Sequence, residues 1–444
     1  MLGAFGLWGF AAAAASVILI SICPPLVVAL RQHNSVVYPP RISKTEELAL
    51  QTSLFVNNLL FSKNTFLVGV PLVHLSLAAR NRHNLALADK RMKAALSVAD
   101  SVDARKAKFE EVNNALVLAA ELTKMGRFRE CIQLGEKTLA MAEKLTDFRS
   151  IKAHAQLLLV CAFASWSLGE LDECGAFSRE ALDLGGDALD SKLNAERFHA
   201  YNFLMLLAIE QADFEKAAEL VERSRRYAKS LTNVRKGLFM HIVNTNQAVV
   251  HIGRAEYGKA EELLIATHLA TKKNEGKPFT ENDRISGRAA VLFAVLYAPC
   301  GRSHEAQEYF NFFSGLMEKS GELMMKVIFA NDLAYSMYLL KRPAEAEQYL
   351  HMSGEILKDY IPEDHYLRAT LANNLAEVNL ALGKLGPAKV ALEKARQIRT
   401  LIFNNDHPNT VRLHQTEAMI LMEENFLDEA LKEAEYVVAS RQRT

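Results

Sequence analysis

One register governs this chain. A small residue recurs at Cys131, Cys174, Ala217, Ala260, Ala306, Ala346, Ala388 and Ala430, with separations of 43, 43, 43, 46, 40, 42 and 42 residues. Twelve positions before these anchors stand Ala119, Ala162, Met205, Ala248, Ala294, Ala334, Ala376 and Ala418. Five before them stand Gly126, Gly169, Ala212, Ala255, Gly301, Lys341, Gly383 and Asn425. The stretch Leu371 to Ala395, LANNLAEVNLALGKLGPAKVALEKA, contains one whole unit. Leu371, Leu375, Val378 and Leu382 fall at helical spacing and mark one buried stripe. Gly383 then breaks the helix, and Ala388, Leu392 and Ala395 begin a second stripe. Small residues at Ala376 and Ala388 let two antiparallel helices approach closely. Such a hairpin cannot bury its own apolar face and requires neighbours of the same kind. The register supplies them, so the chain is expected to be an all-α solenoid, a superhelix of eight to nine helix-turn-helix repeats.

The turn hexapeptides are GRFREC, GELDEC, ADFEKA, AEYGKA, GRSHEA, KRPAEA, GKLGPA and NFLDEA. Most units place an aromatic or aliphatic residue three before the anchor: Phe128, Leu171, Phe214, Tyr257, Leu385 and Leu427. On these residues the chain resembles the tetratricopeptide repeat family over roughly residues 66 to 440. It departs from that family in its period, since a usual unit has about 34 residues, and in lacking proline at the close of most units. The long period, with LANNLAEV at Leu371 to Val378 and NNDHPNT at Asn404 to Thr410, is similar to the kinesin-light-chain type. That resemblance implies a protein-binding repeat domain, in which Asn373 and Asn374 hold a peptide.

The 444 residues carry 52 basic and 52 acidic side chains, with a pI near 7.2. A nucleic-acid binder would show a basic excess or stripe, so no nucleic acid is expected. Five cysteines lie without CxxC spacing, and Cys131 and Cys174 stand where small buried residues belong. There is no HExxH, GxSxG, glycine-rich phosphate loop or GxGxxG. His365 and His407 recur at the repeat period, each after an acid; Asp364 and Asp406 are expected to cap the following helices. No catalytic residue, metal, cofactor or small-molecule substrate is expected, and the chain reads as a non-enzyme.

Residues 2–30 carry no charge. Phe5 to Leu30 would form a helix of about 39 Å at about 1.5 Å per residue, long enough for a hydrocarbon core of about 30 Å. The absence of Lys or Arg before the apolar run disfavours a cleaved signal peptide. Residues 1–31 are therefore expected to be a retained single-pass transmembrane anchor. Arg31, Arg41 and Lys44 follow it, placing the repeats in the cytoplasm by the positive-inside tendency; a bacterial inner membrane fits best. Residues 32–65 read as a linker and amphipathic helix. Phe66 to Ala79, FLVGVPLVHLSLAA, has two readings. It is short for a second membrane segment, while the register extended back to Ala88 and Ser76 makes residues 66–104 a degenerate capping repeat. Repeats then fill 105–444, interrupted by a polar loop, Lys272 to Asp283.

First helices line the concave, binding face of stacked hairpins. Fifteen positions before the anchors lie Asn202, Asn331, Asn373 and Gln415; one further on lie Asn246 and Asn374. Amides both donate and accept, so a ladder of them can hold an extended backbone without demanding its sequence. Tyr335, Glu377, Arg288 and Arg412 are placed on the same face. The function expected is that of a membrane-anchored scaffold or adaptor binding a protein or peptide in the groove. The alternative is an assembly factor for a membrane complex, acting through its N-terminal membrane region.

Overall fold

The computed structural model describes residues 50, 51, 54, 66–81, 84–100, 108–186, 192–211, 213–231, 233–272, 289, 291–294, 296–297, 302–319, 323–360, 363–402 and 408–443. The anchor expected over 1–31, nearly all of the 32–65 segment, the loop after Lys272, Arg288, Asp406 and His407 lie outside the described residues. Two compact units divide the chain, one ending at Ala164 and one beginning at Ser165. The first holds α1 (Phe66–Asn81), α2 (Leu85–Asp100), α3 (Phe109–Lys124), α4 (Phe128–Ala142) and most of α5 (Phe148–Leu168). The second continues with α6 (Leu171–Asp183), α7 (Asn194–Glu210), α8 (Phe214–Ser230), α9 (Asn233–Gly253) and α10 (Tyr257–Lys272). After a stretch around residues 289–297 come α11 (Ser303–Lys319), α12 (Leu323–Leu339), α13 (Pro343–Tyr360), α14 (Tyr366–Ala381), α15 (Leu385–Ile402), α16 (Pro408–Glu423) and α17 (Leu427–Arg443). No strand occurs among the described residues.

Each hairpin is set by its turn. Gly126, Gly169, Ala255, Lys341, Gly383 and Asn425 all have φ between 58° and 79°, the left-handed conformation that ends helices. The next residue's N–H donates back across the turn to the carbonyl five residues earlier. The pairs are Arg127 to Leu122 (2.9 Å), Glu170 to Ser165 (2.9 Å), Asp213 to Ala208 (2.8 Å) and Glu256 to His251 (2.8 Å). Arg302 to Tyr297 (3.1 Å), Arg342 to Met337 (2.9 Å), Lys384 to Asn379 (2.8 Å) and Phe426 to Leu421 (2.9 Å) continue the series. Eight turns therefore close with one bond. The anchors then reach the core: Cys131, Cys174, Ala217, Ala260, Ala346 and Ala388 are fully buried, as are Ala119, Ala162, Ala248, Ala294 and Ala376. This is an all-α fold of repeated helical hairpins.

Hairpins pack by the same contacts in each unit. α1 lies against α3, and α14 lies against both α12 and α16, while α8 packs on α9, α13 on α14 and α15 on α16. The basic residue after a turn reaches the residue just past the preceding anchor: Arg127 to Asp89 (3.2 Å), Arg302 to Glu261 (2.9 Å) and Lys384 to Glu347 (2.6 Å), and Arg342 to Gln307. Exposed pairs of this kind contribute little stability; their recurrence holds the register between repeats. Arginines also close helix ends that lack intrahelical partners. Arg368 on α14 donates to the Leu357 and Lys358 carbonyls of α13 at 2.7 and 3.1 Å, and Arg197 on α7 does the same for Leu182 of α6 and for Leu184, which caps it.

The segment with two readings, Phe66 to Ala79, lies in the first helix of a hairpin. Val73, Leu75, Ala78 and Ala79 are buried, and Ser76 Oγ donates to the Ala88 carbonyl at 2.7 Å. Among the described residues, one helix, α5, is long and apolar enough to cross a membrane, and 61% of its apolar window is buried within the fold. One expectation needs correction. Asp364 does not cap α14; its neighbour His365 does, with Nδ1 accepting from the Leu367 N–H at 3.2 Å. The imidazole is buried while Asp364 is exposed, so the ring lies where the free N–H groups are.

Two predictions follow from this architecture. Open space surrounds a Cβ built at Gly383, so Gly383→Ala meets only the left-handed backbone penalty, about 1 kcal/mol. Urea unfolding should register that loss, whereas Lys341→Gly should cost nothing at the equivalent turn. Burial holds the imidazoles of His154 and His241 below their ordinary value of 6.5, with Glu143 partly offsetting this for His154. Their contribution is thus fully present above pH 6.5 and is lost as pH falls below it, because the unfolded chain takes up those protons first. Urea midpoints at pH 7.5 and 5.5 should differ in that direction, and His154→Phe with His241→Phe should shrink the difference.

Candidate functional site

The polar residues singled out in the sequence gather in the second unit, on the face shared by the first helices α7, α9, α12, α14 and α16. The amides do not stand in a free ladder; they clasp neighbouring repeats. Asn246 of α9 donates to Asn202 of α7. Asn374 of α14 donates to Asn331 Oδ1 of α12 at 3.3 Å, and Asn331 in turn donates to the Val327 carbonyl (2.9 Å) and to Ser353 Oγ (3.2 Å). In both cases an amide fifteen before one anchor meets the amide fourteen before the next. Asn246, Asn331, Asn373 and Asn374 are buried, Asn202 is half-buried, and Gln415 is exposed.

One repeat further, the same clasp is ionic. Thr416 occupies the place of the second amide, and Glu377 becomes the centre. Its Oε1 accepts from Asn373 Nδ2 (2.7 Å), Arg412 Nε (2.8 Å) and Thr416 Oγ1 (3.2 Å), and its Oε2 accepts from Arg412 Nη2 (2.7 Å). The Arg412 guanidinium also lies 5.0 Å from the Tyr335 ring centroid. Burial opposes the Arg412 charge, but the hydrogen bonds and charge of Glu377 outweigh it, and the group sits above its ordinary value. Beneath this pair, Arg399 of α15 is 1% exposed. Burial, then the like charge of Arg412, press its guanidinium down, and Glu377 offsets them. A guanidinium stays protonated in proteins, so Glu377 stands in the field of two cations here.

Beside this cluster the last turns of α12, α14 and α16 line up. Tyr338, Leu380 and Met422 stand 42 residues apart in successive repeats. With Ala381 and Met419 they line a groove of about 450 Å³, whose rim carries Lys341, Pro343 and Glu423. Burial, then the Glu377 charge, hold the Tyr338 hydroxyl above its ordinary value. Sequence reasoning singled out Tyr335, Glu377 and Arg412 but missed Tyr338, Leu380 and Met422. The signal was present: they recur eight positions before the anchors. Arg399 belongs to a second helix, and its one cue is a charge in the row where the preceding unit carries Leu357.

No protein-family model matches the chain, and no curated protein matches it. Among solved structures, similar chains include the apo form of RapI, at 11% identity and a TM-score of 0.48 over 86% of this chain and 98% of that one. A second is from the APC/C hetero-tetramer Cut9–Hcn1, at 11% identity and a TM-score of 0.22 over 95% and 96%. At these values the likenesses carry no functional weight.

Removing the carboxylate takes away the two-pronged partner of the half-buried Arg412 guanidinium. Glu377→Ala should therefore destabilise the second unit by about 3 kcal/mol, and Glu377→Leu combined with Arg412→Met should recover most of that loss. Equilibrium urea unfolding of the two variants checks the difference.

Proposed function

We propose that this chain is a non-catalytic scaffold that holds a protein or extended peptide along the first-helix face of its second unit. One observation carries the reading: the open groove along Tyr338, Leu380 and Met419, three consecutive repeats presenting apolar side chains beside a half-buried arginine. Apolar pockets with a few fixed polar groups at the rim are what a docked side chain requires. Arg412 keeps part of its side chain accessible, and its stacking on Tyr335 and pairing with Glu377 hold it in one place. In this reading Asn331 and Asn374 act from behind, locking α12 to α14, Asn373 holds Glu377 in place, and contact with the partner falls to Tyr335, Tyr338, Leu380, Arg412 and Gln415.

Membrane tethering through residues 1–31, with the repeats on the cytoplasmic side, completes the proposal. Its support is the uncharged run over residues 2–30 and the basic residues after it. A tether raises the local concentration of whatever the groove holds, so modest groove affinity suffices.

Affinity capture from detergent-solubilised membranes tests this. Tyr338→Ala with Leu380→Lys should reduce recovery of the partner at least tenfold while circular dichroism keeps its helical signal. Undiminished recovery, with loss only when residues 1–62 are replaced, would instead favour assembly of a membrane complex through the N-terminal region.

A further inference from the structure

A histidine and two carboxylates meet between the last two helices. His414 and Glu417 stand about one turn apart on α16, and Glu433 comes from α17. Their ligand atoms, one from each residue, all lie within 4.8 Å of one another. His414 Nδ1 is 2.6 Å from Glu433 Oε2, and all three side chains are 26 to 28% exposed. The Tyr436 ring lies 4.4 Å from the imidazole between centroids and fixes its position. Arg396 of α15 donates to Glu417 Oε2 at 2.5 Å, which holds that carboxylate's direction. No local motif marks the group, because Glu433 stands 19 residues beyond His414.

The same rows in the two preceding hairpins are apolar. In α12 and α13 they hold Ala330, Leu333 and Tyr349, and in α14 and α15 they hold Ala372, Leu375 and Ala391. Ala330, Leu333 and Ala372 are buried there. The last hairpin replaces these packing groups with one imidazole and two carboxylates. Solvating a hairpin requires polar side chains but not their convergence, and two carboxylates this close repel unless a cation lies with them. Arg396 meets Glu417; a cation placed among the three residues would meet both acids.

We propose that His414, Glu417 and Glu433 bind a divalent first-row transition cation, of which zinc fits best. An imidazole nitrogen beside two carboxylate oxygens suits zinc, whereas calcium and magnesium take oxygen alone. Zinc holds such atoms at about 2.0–2.2 Å, so tetrahedral ligands stand about 3.4 Å apart. Small side-chain rotations reach that spacing from the one observed. His414 would bind through Nδ1, exchanging its contact with Glu433 for a shared metal. Glu417 would bind through Oε1, which leaves the Arg396 contact in place. Three protein ligands leave a fourth position for water or for a donor atom of a partner. The ion would tie α17 to α16, and the site shares no residue with the groove at Tyr338 and Leu380.

Equilibrium dialysis of the tag-free full chain against zinc, followed by metal analysis, tests the site. The wild type should retain one zinc equivalent more than Glu417→Gln with Glu433→Gln. That variant's affinity should fall at least tenfold while its helical circular dichroism is kept, and His414→Gln should lose the same equivalent. Cobalt as the probe reads the ligand type: its visible bands should appear in the wild type and weaken in both variants, without thiolate charge-transfer absorption. Equal zinc in the wild type and both variants would overturn the proposal, as would the absence of bound zinc. A cobalt spectrum carrying the thiolate band and unchanged in the variants would also overturn it, by assigning the ion to cysteines.

Discussion

The left-handed residue at six of the hairpin turns is the constraint on which the rest of this structure depends. It bends the chain through a conformation that ordinary side chains avoid, and the following N–H then closes onto the helix just ended. With that bond made, the second helix can only run back along the first. The small residues five positions after and seven before the turn residue are thereby brought into the interior. The constraint is conformational rather than compositional, since alanine, lysine and asparagine occupy it at Ala255, Lys341 and Asn425 with the same φ sign as the glycines. The surrounding hairpin holds those three residues in a strained backbone state, which repeated burial on either side can sustain.

A second consequence is that polar residues on the first helices serve two purposes. Asn202 with Asn246, and Asn331 with Asn374, tie neighbouring repeats together where an apolar contact would slide. Glu377 and Arg412 repeat the tie with charge, and the ion pair also orients a guanidinium beside the groove. Cohesion and presentation are thus adjacent functions on one face. The buried row fixes the spacing of the helices, and the row one turn further along offers Tyr338, Leu380 and Met422 to a partner. Arg399, buried in the helix behind, feels the charges of both members of that pair.

Much of the fold was legible because the repeat states each requirement eight times. A lone Lys341 gives no sign of a left-handed turn, but standing in the place of Gly126, Gly169 and Gly383 it does. The candidate site was legible only in its placement. Asn373 and Asn374 lie on α14, the first helix of its hairpin, yet nothing in their spacing distinguishes an amide turned to a neighbouring repeat from one turned to a ligand. The cap of α14 was misread for a similar reason. Asp364 and His365 are adjacent, and which of them meets the free N–H groups depends on the path by which the loop enters the helix.

The sequence by itself determined the element type, the hairpin unit, the turn positions and the residues that meet inside each hairpin. All of these are local, set by helical periodicity and by steric allowance within about forty residues, and each is repeated. The tertiary structure alone decided which polar side chains are consumed between repeats, that Arg399 joins Glu377 and Arg412, and where a groove stays open. Those outcomes depend on the distance and rotation between neighbouring hairpins. Side-chain packing sets both across residues that the period places near one another but does not orient.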